Sequence, residues 1–298
     1  MLTRKTVLVL GAGASKPFNF PTGIELSQRI VELLGPTSGA YILQEMCGIP
    51  LEDTERFRSA FHHSGKNSVD AFLEHRPEFM KIGKAATACA LIPFEQEDVI
   101  FRYYDNWLRT IYNNLNTSFE EFGQNKISFL TFNYDRIVEH FFYTSLKNTY
   151  GKSDAECFAA LEQIPIIHLH GRLGALPWQK DKTRPFEPKV DPHALAVSMD
   201  ELKIIHEDIS DGRDADFEKA KALLKAADQI LFMGFGYNKT NMDRLNIGDL
   251  EPNKAIGGAV GIGVRQRSLI RKDSSDKITL LPSNEDCLHM VQERIDWA

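Results

Sequence analysis

The 298 residues carry 35 Lys and Arg against 41 Asp and Glu, a formal charge of −6, so the broad cationic surface needed to grip a phosphate backbone is missing and direct nucleic-acid binding is not expected. Apolar residues make up 43% of the chain, yet no apolar run is long enough to span a bilayer, which excludes a transmembrane helix and predicts no membrane partner. The four cysteines, Cys47, Cys89, Cys157 and Cys287, form no CxxC pair, so neither a disulfide framework nor a zinc site is signalled, no metal is predicted, and a reducing cytoplasm is the expected compartment.

The chain opens MLTRKTVLVLGAG, whose apolar run is too short for a signal peptide and reads as a first buried strand over 6–10 (TVLVL). Thr22 and Glu25 stand at capping-box spacing and start a helix over about 23–34, which the breaker cluster Gly35, Pro36, Thr37, Ser38 and Gly39 ends. From 35 to 125 no strand pattern emerges. Helical spacing is clearest at 95–116, with Ile100, Tyr104, Leu108, Ile111 and Leu115 on one stripe, so 35–125 reads as a helical insertion. Further strands are predicted at 127–131 (ISFLT), 166–169 (IIHL), 229–233 (QILFM), 259–264 (AVGIGV) and 277–281 (KITLL), and a helix carrying Phe217, Ala220, Leu224 and Ala227 precedes the 229 run. Residues 177–193 hold four prolines and no periodicity, a long loop placed where lids are common. The alternation predicts an α/β fold, a doubly wound parallel sheet of about six strands formed by 1–34 and 126–298, with 35–125 inserted.

Doubly wound sheets bind ligands beyond the carboxyl ends of their strands, so the residues that follow each run carry the functional signal. Gly11, Ala12, Gly13, Ala14 and Ser15 follow the first strand, where glycines let a backbone approach a pyrophosphate and amides face its oxygens; a tight turn without ligand fits equally well. Lys16 stands where a dinucleotide fingerprint wants Gly or Ala, and no second strand follows within about 20 residues. Asn133 and Asp135 in TFNYD end another strand, and each alone reads as a helix cap. In HLHG, His168 reads as a hydrogen-bonded core histidine, whereas His170, at the strand terminus beside Gly171, can face the crevice. Gly234, Phe235, Gly236 and Tyr237 follow a further strand, as a ribose or phosphate loop or as a turn with a packing aromatic. His62 and His63 read as a solvated loop and the cluster Arg265, Arg267, Arg271 and Lys272 as a solvated face.

In this order the four motifs resemble the sirtuin superfamily, specifically the bacterial sirtuin-like NAD-consuming proteins of antiphage defence. GAGAS is similar to GAGxS, TFNYD to TxNxD, HG to the catalytic-histidine motif and GFGY to the ribose loop, over residues 5–34 and 127–264. The resemblance implies a Rossmann-like NAD-binding domain in which Gly11, Ala12, Gly13 and Ser15 hold the phosphates, Asn133 positions the reacting ribose or a water, Asp135 helps place nicotinamide, and His170 is the general base. It also assigns Gly234, Phe235, Gly236 and Tyr237 to the ribose loop, and places Phe20, Pro21 and Thr22 in the cofactor loop, here without the Asp or Arg of the sirtuin pattern. The zinc module of protein-deacetylating sirtuins is absent, and the helical insertion stands in its place.

Hydrolysis of the nicotinamide–ribose bond passes through an oxocarbenium-like state and releases a neutral ring from a cation, so it needs orientation and a base but no general acid. An amide and an imidazole supply these. The expected function is NAD hydrolysis to nicotinamide and ADP-ribose, with NAD as substrate, in an antiphage defence effector. Rival expectations are a sirtuin-type deacylase or ADP-ribosyltransferase, a non-enzymatic NAD or ADP-ribose sensor, and, least favoured, a dehydrogenase. Unrestrained NAD hydrolysis is toxic, which predicts a homo-oligomer or control by a partner protein such as a motor ATPase from the same operon.

Overall fold

Apolar runs such as TVLVL and QILFM have no polar face, so they are stable only as strands covered on both sides. The computed structural model, which describes residues 1–35, 38–115, 117–179, 182–204 and 215–297, places them so. Strands β1 (Thr6–Leu10), β2 (Ile127–Thr131), β3 (Ile166–His168), β4 (Gln229–Met233), β5 (Ala255–Gly257) and β6 (Ile278–Leu280) form one sheet. Every pairing is parallel and the order is β3-β2-β1-β4-β5-β6, so the winding reverses between β1 and β4. This is the expected doubly wound, Rossmann-like α/β fold. The pleat sends Leu8, Leu10, Phe129, Leu231 and Met233 into one apolar core and Val7, Val9, Leu130, Ile230 and Phe232 into another.

Helix α1 (Gly23–Leu33) starts with the expected capping box: the Thr22 hydroxyl accepts from Glu25 N and the Glu25 carboxylate from Thr22 N. Then come α2 (Ser38–Cys47), α3 (Leu51–His63), α4 (Val69–Leu73), α5 (Met80–Leu91), α6 (Glu97–Arg102) and α7 (Trp107–Asn114), with no strand among the described residues before β2. Phe57, Phe72, Trp107 and Ile111 join the same core as Leu8 and Leu10, so the insertion is a helical layer sharing the core of one sheet face. α8 (Ile137–Tyr150) and α9 (Asp154–Leu161) link β2 to β3, α10 (Pro192–Glu201) and α11 (Ala215–Ala226) precede β4, α12 (Lys239–Arg244) follows it, and α13 (Val264–Asp273) and α14 (Cys287–Arg294) flank β6. Phe217, Ala220 and Leu224 of α11 cover the opposite face. No described helix is long and apolar enough to cross a membrane.

Three expectations need correction. The strand expected at 259–264 lies at 255–257 instead: Ile230 N donates to Lys254 O and Gly258 N to Phe232 O, which fixes the register, and the left-handed Gly261 (φ +73°) bends the chain within the expected run. The helix expected across 95–116 is two, because Tyr103 is extended and the Asn106 side chain accepts from Arg109 N to start α7 afresh. Within the breaker cluster, Ser38 and Gly39 open α2, while Pro36 and Thr37 lie outside the described residues.

The 177–193 loop, whose residues 180 and 181 lie outside the described ones, is anchored rather than free. Trp178 stacks on Tyr143 (3.5 Å, 8°) and Phe186 on His140 (4.1 Å, 6°). Arg184 and Arg136, both fully buried, share Glu95, which Arg136 grips with two nitrogens (2.8 and 2.5 Å) and Arg184 with one (2.5 Å). Carbonyls of Gly174, Arg184 and Pro185 accept from the rest of the Arg136 fork. The node joins the insertion, the start of α8 and the loop, and buried charges need partners of this kind.

Candidate active site

The loops after β1 and β4 meet at the reversal of the sheet. Gly11 N donates to Met233 O (3.0 Å), Gly13 N to Gly234 O (2.9 Å) and Ala14 N to Gly11 O (2.9 Å). A Cβ on Gly11 would sit 2.6 Å from Gly234 O, one on Gly13 2.8 Å from Gly234 Cα, and one on Gly234, itself left-handed at φ +56°, 2.0 Å from Ala14 N. The glycines are therefore required by the contact between the two loops. The close approach that the sequence reserves for a pyrophosphate is occupied by protein backbone, and these three amides donate to protein carbonyls. Residues 12–18 continue as a 3-10 turn, and the Trp107 indole of the insertion donates to Ala14 O (2.8 Å).

Beside this contact, at the carboxyl ends of β1 and β2, lies a narrow cleft open to solvent. Ala12, Ser15, Phe20 and Pro21 form one wall, Phe132, Asn133, Tyr134 and Asp135 another, and Ser68, Val69, Asp70 and Leu91 of the insertion also line it. The sequence candidates Ala12, Ser15, Phe20, Pro21, Asn133 and Asp135 are thus brought together, from segments more than a hundred positions apart. Thr22 spends its side chain on the α1 cap. Gly236 is exposed, and Phe235 and Tyr237 are buried, with the Tyr237 hydroxyl donating to Gly258 O (2.9 Å). These two aromatics pack as the structural reading of GFGY has it.

A polar chain runs along the cleft floor. Asn133 Nδ2 donates to Gly11 O (3.0 Å) and to Ser15 Oγ (2.9 Å), and Ser15 Oγ donates to Asp135 Oδ2 (2.7 Å). A carbonyl can only accept, so the bond to Gly11 fixes the amide's orientation and offers Asn133 Oδ1 as an acceptor. Asp135 Oδ1 accepts from Ile137 N (3.3 Å) in the first turn of α8. Burial pushes the Asp135 carboxyl up to about 6, against the hydrogen bonds of Ser15 and Ile137 and the charge of His168, which pull it down.

His168 is the buried, hydrogen-bonded histidine the sequence suggests: Nδ1 lies 3.1 Å from Asn133 O and Nε2 2.7 Å from Glu139 Oε1. Burial works to raise the Glu139 carboxyl, but the charge and hydrogen bond of His168 and the charge of Arg172, 3.7 Å away, outweigh it and bring it to about 2. His170 does not line the cleft. Its buried ring meets Phe132 edge to face (5.2 Å, 87°), and Phe132 is a cleft wall. Gly171 must be glycine, since at φ +68° a Cβ would sit 2.0 Å from Glu201 O.

Sequence reasoning missed Phe132, Tyr134, Glu139 and Asp70. The first two sit inside TFNYD and Glu139 lies one helical turn beyond it, so a closer reading of that motif contained them. Asp70, which accepts a hydrogen bond from the Tyr134 hydroxyl, reaches the cleft only through the tertiary fold, with no local signal. No protein-family model matches the chain, and neither does any curated protein.

Proposed function

We propose that the chain is a sirtuin-like NAD glycohydrolase that splits NAD into nicotinamide and ADP-ribose. The observation that carries this reading is the Asn133–Ser15–Asp135 chain in a cleft at the carboxyl ends of adjacent strands, where doubly wound sheets take their ligands. Phe20 and Phe132 offer apolar faces to a flat ring, and Asp135 a carboxylate to its cationic state or its amide. Asn133 Oδ1 accepts from a ribose hydroxyl or a water and holds it in line with the breaking bond. His170, whose ring meets the cleft-wall residue Phe132 edge to face, is the base assigned to the proton of that nucleophile, and reaching it requires a change from the described arrangement. The pyrophosphate lies toward the mouth, because the amides of Gly11, Gly13 and Ala14 already serve the protein.

The leaving nicotinamide is neutral, so the bond breaks without a Lewis acid and activity survives a strong chelator. Restraint of the activity comes from self-association or from a second protein, a motor ATPase encoded nearby being the expected kind, in an antiphage defence role; size and activity measured on the same fractions test this. Product analysis tests the chemistry. Free nicotinamide and ADP-ribose in equal amounts support hydrolysis, whereas O-acyl-ADP-ribose or labelled protein replaces it with acyl or ADP-ribosyl transfer.

A further inference from the structure

We propose that His168 is a positioning residue for Asn133, an inference that rests on the reading of Asn133 as the group that orients the nucleophile. The β2–β3 ladder gives its last backbone bond at Leu169 N to Thr131 O (2.9 Å), so the peptide groups of TFNYD beyond Thr131 need other partners. Asn133 finds them in side chains: its N–H donates to Thr131 Oγ1 (3.0 Å) and its carbonyl faces His168 Nδ1 (3.1 Å). These two bonds set the peptide planes on either side of the Asn133 Cα, and hence the direction in which its amide reaches Gly11 O and Ser15 Oγ. The His168 ring is held in turn by Glu139 through Nε2 (2.7 Å), and Glu139 by α8. The ring is thus held at both nitrogens, and it cannot flip without losing a bond. Glu139, His168 and Asn133 form a relay of position, as a second layer of hydrogen bonds orients the groups that touch a substrate.

The two ring bonds separate by substitution. An Asn side chain places its amide nitrogen near Nδ1 and a Gln near Nε2, so His168→Asn keeps the donor to Asn133 O while His168→Gln keeps only the bond to Glu139. We expect His168→Gln to lower kcat for nicotinamide release about 10-fold or more with KM little changed, and His168→Asn to stay within about 3-fold of wild type, since a misplacement of about 1 Å is enough for losses of that order. His168→Asn leaves Glu139 short of its partner, so the double variant His168→Asn/Glu139→Gln repeats the test without that charge. Equal losses in the Asn and Gln variants, following their melting temperatures, overturn the proposal. Crystal structures of the variants give a readout independent of activity: the Asn133 amide keeps its bonds to Gly11 O and Ser15 Oγ in the Asn variants and leaves them in His168→Gln, and an unmoved amide in His168→Gln refutes the inference. If wild-type protein releases no nicotinamide under any condition, the proposed function fails, and these structures alone decide the positioning role.

Discussion

Replacing Asp135 by Asn should stabilise the fold while removing the cleft carboxylate. In the native state burial lifts this carboxyl from its ordinary 3.8 to about 6, which makes its charged form less stable by roughly 3 kcal/mol than in the unfolded chain. The sign follows from proton binding. Between about pH 4 and 6 the native chain holds a proton that the unfolded chain has released, so the favourable contribution of this group is complete below about pH 4, declines as pH rises through 6, and is lost above it. The amide variant carries no such slope; its Oδ1 can still accept from Ile137 N while its Nδ2 donates to Ser15 Oγ in place of the bond that Asp135 Oδ2 accepts. After allowing for the weaker neutral hydrogen bond, Asp135→Asn should gain about 1–3 kcal/mol at pH 7.5, or about 2–6 °C in Tm for a chain of this size, with the gain shrinking toward zero near pH 4. Urea titrations of both proteins at half-unit steps from pH 4 to 7.5 measure it. A variant less stable than wild type at pH 7.5, or a difference that does not change with pH, would show that burial of this carboxylate does not destabilise the fold.

Gly234→Ala puts a Cβ 2.0 Å from Ala14 N at a left-handed φ, so it should cost about 3 kcal/mol or more and shift the urea midpoint accordingly, more than Gly13→Ala, whose closest contact is 2.8 Å. Glu95→Ala strands two buried guanidinium groups and should cost about 3–5 kcal/mol, with hydrogen exchange quickening over residues 182–190 before the sheet opens. Trp107→Phe removes the indole donor from Ala14 O and should cost about 1–2 kcal/mol by thermal melt, with the loss felt in the glycine loop as well as in the insertion.

The sheet was legible because strands buried on both faces leave continuous apolar runs, and five of them fall where TVLVL, ISFLT, IIHL, QILFM and KITLL stand. KAIGGAVGIGV failed this test because small residues spread an apolar signal over eleven positions while pairing uses only Ala255, Ile256 and Gly257. The stripe from Ile100 to Leu115 reads as unbroken in the sequence because Asn106 resembles any polar helix residue, and only its side-chain bond to Arg109 N marks the new start. Within the site, Ser15, Asn133 and Asp135 could be named from their place after strands, but not the bonds joining them, since these arise from the parallel register of β1 and β2. The glycines stand out in the sequence, but the contact between them does not: Gly11, Gly13 and Gly234 meet across the sheet's reversal. Arg184, in a proline-rich polar stretch, gave no sign of burial, because its partners Glu95 and Arg136 lie 89 and 48 positions away.

If the proposed function holds, Asn133, held by Ser15 and Gly11 in the cleft, serves the cleavage of NAD. The most direct test is nicotinamide release from NAD by the purified chain, alone and together with a candidate partner protein, for wild type and Asn133→Ala matched by melting temperature. Release by wild type in at least one of these conditions, lowered about 100-fold or more in the variant, is the predicted result. No release in either condition, or release that Asn133→Ala leaves unchanged, would contradict the account.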